Sequence, residues 1–138
     1  MLPMMFLDAN IILRFLTNDH PDKAQRCLAL FEQADSGEVQ LTTSEAIIAE
    51  VVYVLSFPRL YHVPRDRIRE LRLPIIDLRG LKLTSRQLYH DALDLYATRN
   101  LDFEDALALA HMRELGIAEI ASYDRHFDDL EGVRRVEP

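Results

Sequence analysis

Met112-Arg113-Glu114-Leu115-Gly116, followed three residues on by Glu119-Ile120-Ala121-Ser122, is the passage whose reading decides the fold. Gly116 closes a helical pattern as a C-terminal cap does, since glycine enters the left-handed region without steric cost. A short apolar strand follows, so helix runs into strand within a few residues. Outward from there the same alternation repeats. Upstream, helices are expected at about 103–115 and 85–98, with a brief edge strand in Leu81-Lys82-Leu83-Thr84. Pro64 opens a basic helix that Pro74 interrupts, and a strongly apolar helix at about 44–57 is stopped by Pro58. A strand at 39–42, a helix at 21–35, a helix at 10–17 and a strand at 4–7 complete the N-terminal part, and a strand at 133–136 ends the chain. Ala24, Cys27, Leu28, Phe31 and Ala34 recur at helical spacing, which makes Cys27 a core residue. Parallel strands need crossover helices, so the pattern predicts an α/β sandwich in three layers, a small parallel sheet flanked by helices. Function in such folds lies at the carboxyl edge of the strands.

The chain has 138 residues, and residues 1–138 are expected to form a single domain around one core. One cysteine excludes an internal disulfide framework and a Cys-rich zinc site, and suits a reducing compartment, the cytoplasm. No basic segment precedes the first apolar stretch, Asp8 and Arg14 interrupt it, and no uncharged apolar run approaches ~18 residues, so neither an export signal nor a membrane span is expected. The net charge of −7 speaks against a polyanionic partner until its distribution is read. Between Arg59 and Arg86 lie eight of the sixteen basic residues and three acids, so this segment carries +5 and the remainder −12. Such a segment is either a solvated helix face or an arm that meets phosphates, with Arg59, Arg65, Arg69 and Arg72 as candidates for that contact.

The acids need explaining. Glu50 sits in Ala46-Ile47-Ile48-Ala49-Glu50-Val51-Val52-Tyr53-Val54-Leu55-Ser56-Phe57, apolar nearly all round, and is therefore expected to be buried, where a carboxylate must be protonated, paired with a base or bound to a cation. Glu45 has a structural task in a capping box with Thr42. Asp8 ends the first strand and equally suits the N-cap of the next helix; Asp124 falls just past the Ile120-Ala121-Ser122 strand, where a turn residue also fits. Asp102, Glu104 and Asp105 crowd the first turn of a helix, which its dipole favours. Together, acids from strand ends, from the apolar helix and from a helix's first turn are expected to point into one cleft at the sheet edge, where like charges repel unless a cation separates them. Oxygen donors select magnesium or manganese, and the histidine spacings do not suggest zinc.

Leu7-Asp8-Ala9-Asn10, Ala49-Glu50-Val51, Leu101-Asp102-Phe103-Glu104-Asp105-Ala106 and Ser122-Tyr123-Asp124-Arg125-His126-Phe127 resemble the ordered acidic motifs of PIN-domain ribonucleases, in particular VapC-type toxins of toxin–antitoxin pairs. The resemblance covers essentially the whole chain. It implies that Asp8, Glu50, Asp105 and Asp124 hold a catalytic Mg (or Mn), that Asp102 and Asn10 support them, and that Ser122, commonly Thr in the family, keeps the needed hydroxyl. It also implies an RNA substrate, an antitoxin whose C-terminal segment blocks the cleft, and a homodimer.

The reaction expected of such a site is phosphodiester hydrolysis by a metal-activated water. No Gly-x-Ser-x-Gly, Cys-His pairing or P-loop is present, and no histidine is placed with the acids. Two alternatives stand beside it. A phosphoaspartyl phosphatase would use Asp8 as nucleophile, but wants an acid where Asn10 stands. A catalytically inactive PIN-like docking module would have no use for four acids.

Overall fold

Parallel pairing sets the layout of the computed structural model, which describes residues 4–138. Strand β1 (Met4–Phe6) leads into helix α1 (Ala9–Leu16) and helix α2 (Pro21–Asp35), which return the chain to β2 (Gln40–Thr42). Helices α3 (Glu45–Ser56) and α4 (Arg65–Arg69) and a 3-10 turn (Glu70–Arg72) then lead to β3 (Leu81–Lys82). Helices α5 (Arg86–Arg99) and α6 (Phe103–Leu115) precede β4 (Glu119–Ala121), a 3-10 turn (Arg125–Asp129) and β5 (Arg134–Val136). The expected α/β architecture is present. Its parallel strands fall into two groups: β1-β2-β3, with Phe6 opposite Thr42 and Leu41 opposite Leu81, and β4-β5, with Ala121 opposite Val136. No helix among the described residues is long and apolar enough to cross a membrane.

One continuous cluster of buried side chains joins these elements. Leu41 and Leu81 bring the sheet into it, Ile12 and Phe31 bring α1 and α2, and Cys27 is buried on α2 as the spacing predicts. From α3 come Ile48, Val51, Val52 and Leu55, a stripe at i, i+3, i+4 and i+7. The α5–α6 hairpin packs closely because Ala92, Ala106 and Ala110 are fully buried and keep the helices near each other. Asn100 makes the turn between them at φ 53, a left-handed conformation that asparagine tolerates better than most residues.

Three local expectations give way. Ser44, not Thr42, caps α3: its Oγ accepts from the Ile47 amide at 3.3 Å, while Thr42 stays in the strand and its hydroxyl donates to Lys82 O at 2.8 Å. The basic helix after Pro64 is only five residues long before it tightens into the 3-10 turn, well ahead of Pro74. Most important, Glu50 is exposed. An apolar helix at the surface still buries only one stripe, and Ala46, Glu50 and Tyr53 lie on the side away from it. No desolvation cost therefore obliges Glu50 to find a partner.

Gly80 precedes β3 where the chain passes the end of α2. A Cβ there would collide with the carbonyl oxygen of Ala34 and lie 2.7 Å from its Cβ. Backbone cannot swing aside as a flexible side chain does, so Gly80→Ala should cost about 1–3 kcal/mol and lower the melting temperature by several degrees. An unchanged thermal melt would contradict this packing.

Candidate active site

Asn100, Asp102, Asp105, Asp124 and His126 line one cavity of about 170 Å³. Three elements supply it: the left-handed turn after α5, the first turn of α6 and the segment after β4. Asp102 and Asp8 both occupy N-cap positions, of α6 and α1, yet neither side chain accepts a capping hydrogen bond. Ser44 and Ser85 do cap their helices, so the missing bonds at the two aspartates leave carboxylates uncommitted at the points where the sequence reading seeks function.

Asp105 is half-buried on α6 and its carboxyl is pushed above the ordinary range. Burial contributes most, the Asp102 carboxylate adds to it, His126 opposes it, and Asp124 and Glu104 raise it further. Repulsion from the neighbouring acids is thus present, second to burial.

Asp124 is held from both sides. Its amide donates to Ser122 Oγ at 3.0 Å, and its Oδ1 accepts from the His126 amide at 2.9 Å, capping the 3-10 turn. The turn-residue role and the site role thus coexist, and Ser122 earns its place through its hydroxyl. Arg135 fastens the same segment: Nη1 donates to Ser122 O at 3.1 Å and Nε to Asp128 Oδ1 at 2.8 Å. Nothing in the spacing of the sequence points to Arg135, because its partners come together only when β5 pairs with β4.

Asp8, Asn10 and Glu50 do not line this cavity. Asp8 follows β1 and is exposed, Asn10 is exposed on the first turn of α1, and Glu50 is exposed on α3. Among the described residues no three His, Cys, Asp or Glu side chains are grouped as a ready metal-holding set. The structure therefore joins Asp102, Asp105 and Asp124 but leaves Asp8 and Glu50 outside. It adds two residues the sequence reading misses. His126, placed with no acid in that reading, stands two residues after Asp124 and was visible there; Asn100 was signalled only by its position after a helix.

The basic candidates are largely engaged. Arg65 Nη1 donates to Tyr96 O at 2.9 Å and to Leu101 O, with its guanidinium 4.3 Å from the centre of the Tyr96 ring. Arg69 and Arg72 share Asp94 at 3.9 and 3.5 Å. Arg59 is exposed and makes no ion pair among the described residues. Arg86, counted in the basic segment, ties down the loop before β3 through Ile76 O and Leu81 O.

The family model described as PIN domain matches residues 5–133. Ribonuclease VapC13 of Mycobacterium tuberculosis is 31% identical over 135 residues, covering 96% of this chain and 99% of the relative. A VapC ribonuclease of Mycobacterium bovis gives the same figures. A VapC ribonuclease of Aquifex aeolicus is 28% identical over 135 residues, covering 98% and 97%.

The raised carboxyl of Asp105 makes a signed prediction. A folded state that holds its proton more tightly than the unfolded chain loses stability as pH climbs from the ordinary carboxylate value near 3.8 through the higher folded value. In chelator, Asp105→Asn should therefore melt above the wild type at neutral pH, and the difference should vanish below the ordinary value. A variant that melts lower at neutral pH and stays lower in acid would show that Asp105 is not under repulsion.

Proposed function

Because this chain belongs to the PIN-domain family, in its VapC-type branch, we propose that it is a metal-dependent endoribonuclease, the toxin of a type II toxin–antitoxin pair, hydrolysing RNA phosphodiesters beside Asp105 and Asp124. The observation that carries this reading is the cavity where Asp102, Asp105 and Asp124 stand together with Asp105 held above its ordinary pKa.

The donor chemistry fits a hard divalent cation, since the cavity offers carboxylate oxygens whose mutual repulsion such an ion relieves. Asp105 and Asp124 would hold it, with Asp8 and Glu50 as the further carboxylates of the family pattern and Asp102 in support. When bound, magnesium or manganese lowers the pKa of a water and neutralises charge building on the phosphate. The chain's own residues do the positioning. Ser122 and Arg135 fix the backbone that carries Asp124, and the positive end of the α6 dipole favours the ionised carboxylates of its first turn. Arg59, exposed and unpaired among the described residues, is available to an RNA backbone; Arg65, Arg69 and Arg72 would have to share it with their present partners. The exposed positions of Asp8 and Glu50 away from the cavity favour the second reading, a PIN-like docking module without catalysis.

Cleavage of RNA should require Mg²⁺ or Mn²⁺, stop in excess EDTA, and fall at least about 100-fold in Asp8→Asn, Glu50→Gln, Asp105→Asn or Asp124→Asn. Cleavage that persists in EDTA would contradict the metal mechanism. Saturating Mn²⁺, at ~100 times its dissociation constant, should stabilise the wild type by about 2.7 kcal/mol, with a smaller gain in Asp124→Asn. No gain in either protein favours the docking module.

The same reading includes a homodimer and a cognate antitoxin, for which a basic side chain among the carboxylates would offset the repulsion that a cation offsets. Expression of the chain alone should arrest growth, and co-expression of its cognate antitoxin should restore growth. Normal growth at high levels of folded, metal-binding protein would contradict the toxin reading.

A further inference from the structure

A second and larger cavity, about 490 Å³, opens beside the acidic one, and Asp102 lines both. It lies between α3, the start of α6 and the segment leading into α4. Ala49, Val52 and Val63 give it apolar walls. Tyr53 stands on it with 61% of its surface exposed and its ring stacked on Phe57 at 5.7 Å and 28°, so an aromatic face is presented and stiffened. The floor includes Tyr96 and Phe103, packed edge to face at 5.9 Å. Polar groups ring it: Ser56, His62, Arg65, Asp102 and Glu104. His62 holds φ at 49, a left-handed conformation uncommon for histidine, its amide donating to Phe57 O at 3.1 Å.

Building on the nuclease reading, we propose that this cavity is a nucleobase subsite, where the base next to the cleaved phosphodiester stacks on Tyr53 and is read by Glu104 and Asp102. A single-stranded base is held by an aromatic face with hydrogen bonds to its edge, and this cavity pairs the two within one wall of the acids that would cut the backbone. The edge groups choose the base. Carboxylates only accept, and guanine alone presents two adjacent N–H donors, N1–H and N2–H, that one carboxylate takes side by side. Adenine and cytosine offer an exocyclic amine alone, and uracil a single ring N–H. Arg65 uses Nη1 on Tyr96 O and Leu101 O and makes no hydrogen bond through Nε or Nη2 among the described residues, which leaves it donors for a neighbouring phosphate. Tyr53 and Glu104 are thus specificity residues, separate from the carboxylates assigned to hydrolysis.

Two measurements test it. In chelator, guanosine titrated into the full chain should shift the amide resonances of Ala49, Tyr53 and Ser56 while uridine does not, and Tyr53→Ala and Glu104→Gln should abolish the shifts. With Mn²⁺ and a synthetic RNA of randomised central sequence, sequenced cleavage junctions should show guanine enriched at one fixed position. Tyr53→Ala should lower kcat/KM about 5- to 150-fold, Tyr53→Phe should restore it, and Glu104→Gln should lose the guanine preference while still cutting. RNA cut without base preference, with no guanosine shift, overturns the subsite and leaves the nuclease standing. No cleavage by folded, Mn²⁺-loaded protein overturns the nuclease reading, and the guanosine shifts still decide the subsite. Tyr53→Ala that cuts like the wild type but escapes inhibition by the cognate antitoxin would assign the cavity to that protein and overturn the proposal.

Discussion

Repulsion among carboxylates at the junction of α6 and the segment after β4 is the constraint on which the rest depends. Asp102, Asp105 and Asp124 share a small cavity, and the fold spends several devices on keeping them there. A left-handed turn at Asn100 brings the α5–α6 hairpin round, Ser122 orients the Asp124 amide, and Arg135 ties that segment to β5. None of these devices neutralises the acids. Burial and like charge hold Asp105 above its ordinary pKa, with His126 opposing them. Carboxylates gathered in this way suit a cation between them, which is the basis of the proposed function.

Much of the fold was legible because local chemistry and periodicity agree. Gly116 ends α6 in the left-handed region at φ 70, as the sequence requires, and Cys27 and Phe31 lie in the core where their spacing puts them. Burial of α3 was not legible from composition. A helix apolar nearly all round reads as buried on all sides, yet only the stripe from Ile48 to Leu55 meets the core, and Glu50 faces outward with Tyr53. Capping was misread for a related reason: Thr42 is claimed by strand pairing, a nonlocal event, which leaves Ser44 to cap the helix.

The site was legible where it is local. Asp102 and Asp105 share a helical turn, and Asp124 with Ser122 and His126 forms one short segment, so the structure unites what two short motifs encode. Asp8 and Glu50 belong to other elements and do not line the cavity, so the proposal that they join it rests on the family pattern alone. Arg135 and Asn100 act through tertiary pairing and backbone conformation, which residue spacing does not carry. The basic segment shows the reverse: its charge was evident, but Arg65, Arg69, Arg72 and Arg86 turn much of it inward to carbonyls and to Asp94.

Two adjoining cavities share Asp102, and in the proposed function they divide the labour: the backbone of a single strand would be cut at Asp105 and Asp124 while a base rests on Tyr53. The central claim is that the carboxylates exist to hold a divalent cation. Crystals grown with MnCl₂ test it directly through anomalous scattering. The account predicts a single strong manganese site bounded by Asp105 and Asp124, with Asp8 and Glu50 drawn toward it. An empty acidic cavity at saturating manganese, or manganese bound only elsewhere on the surface, would contradict it.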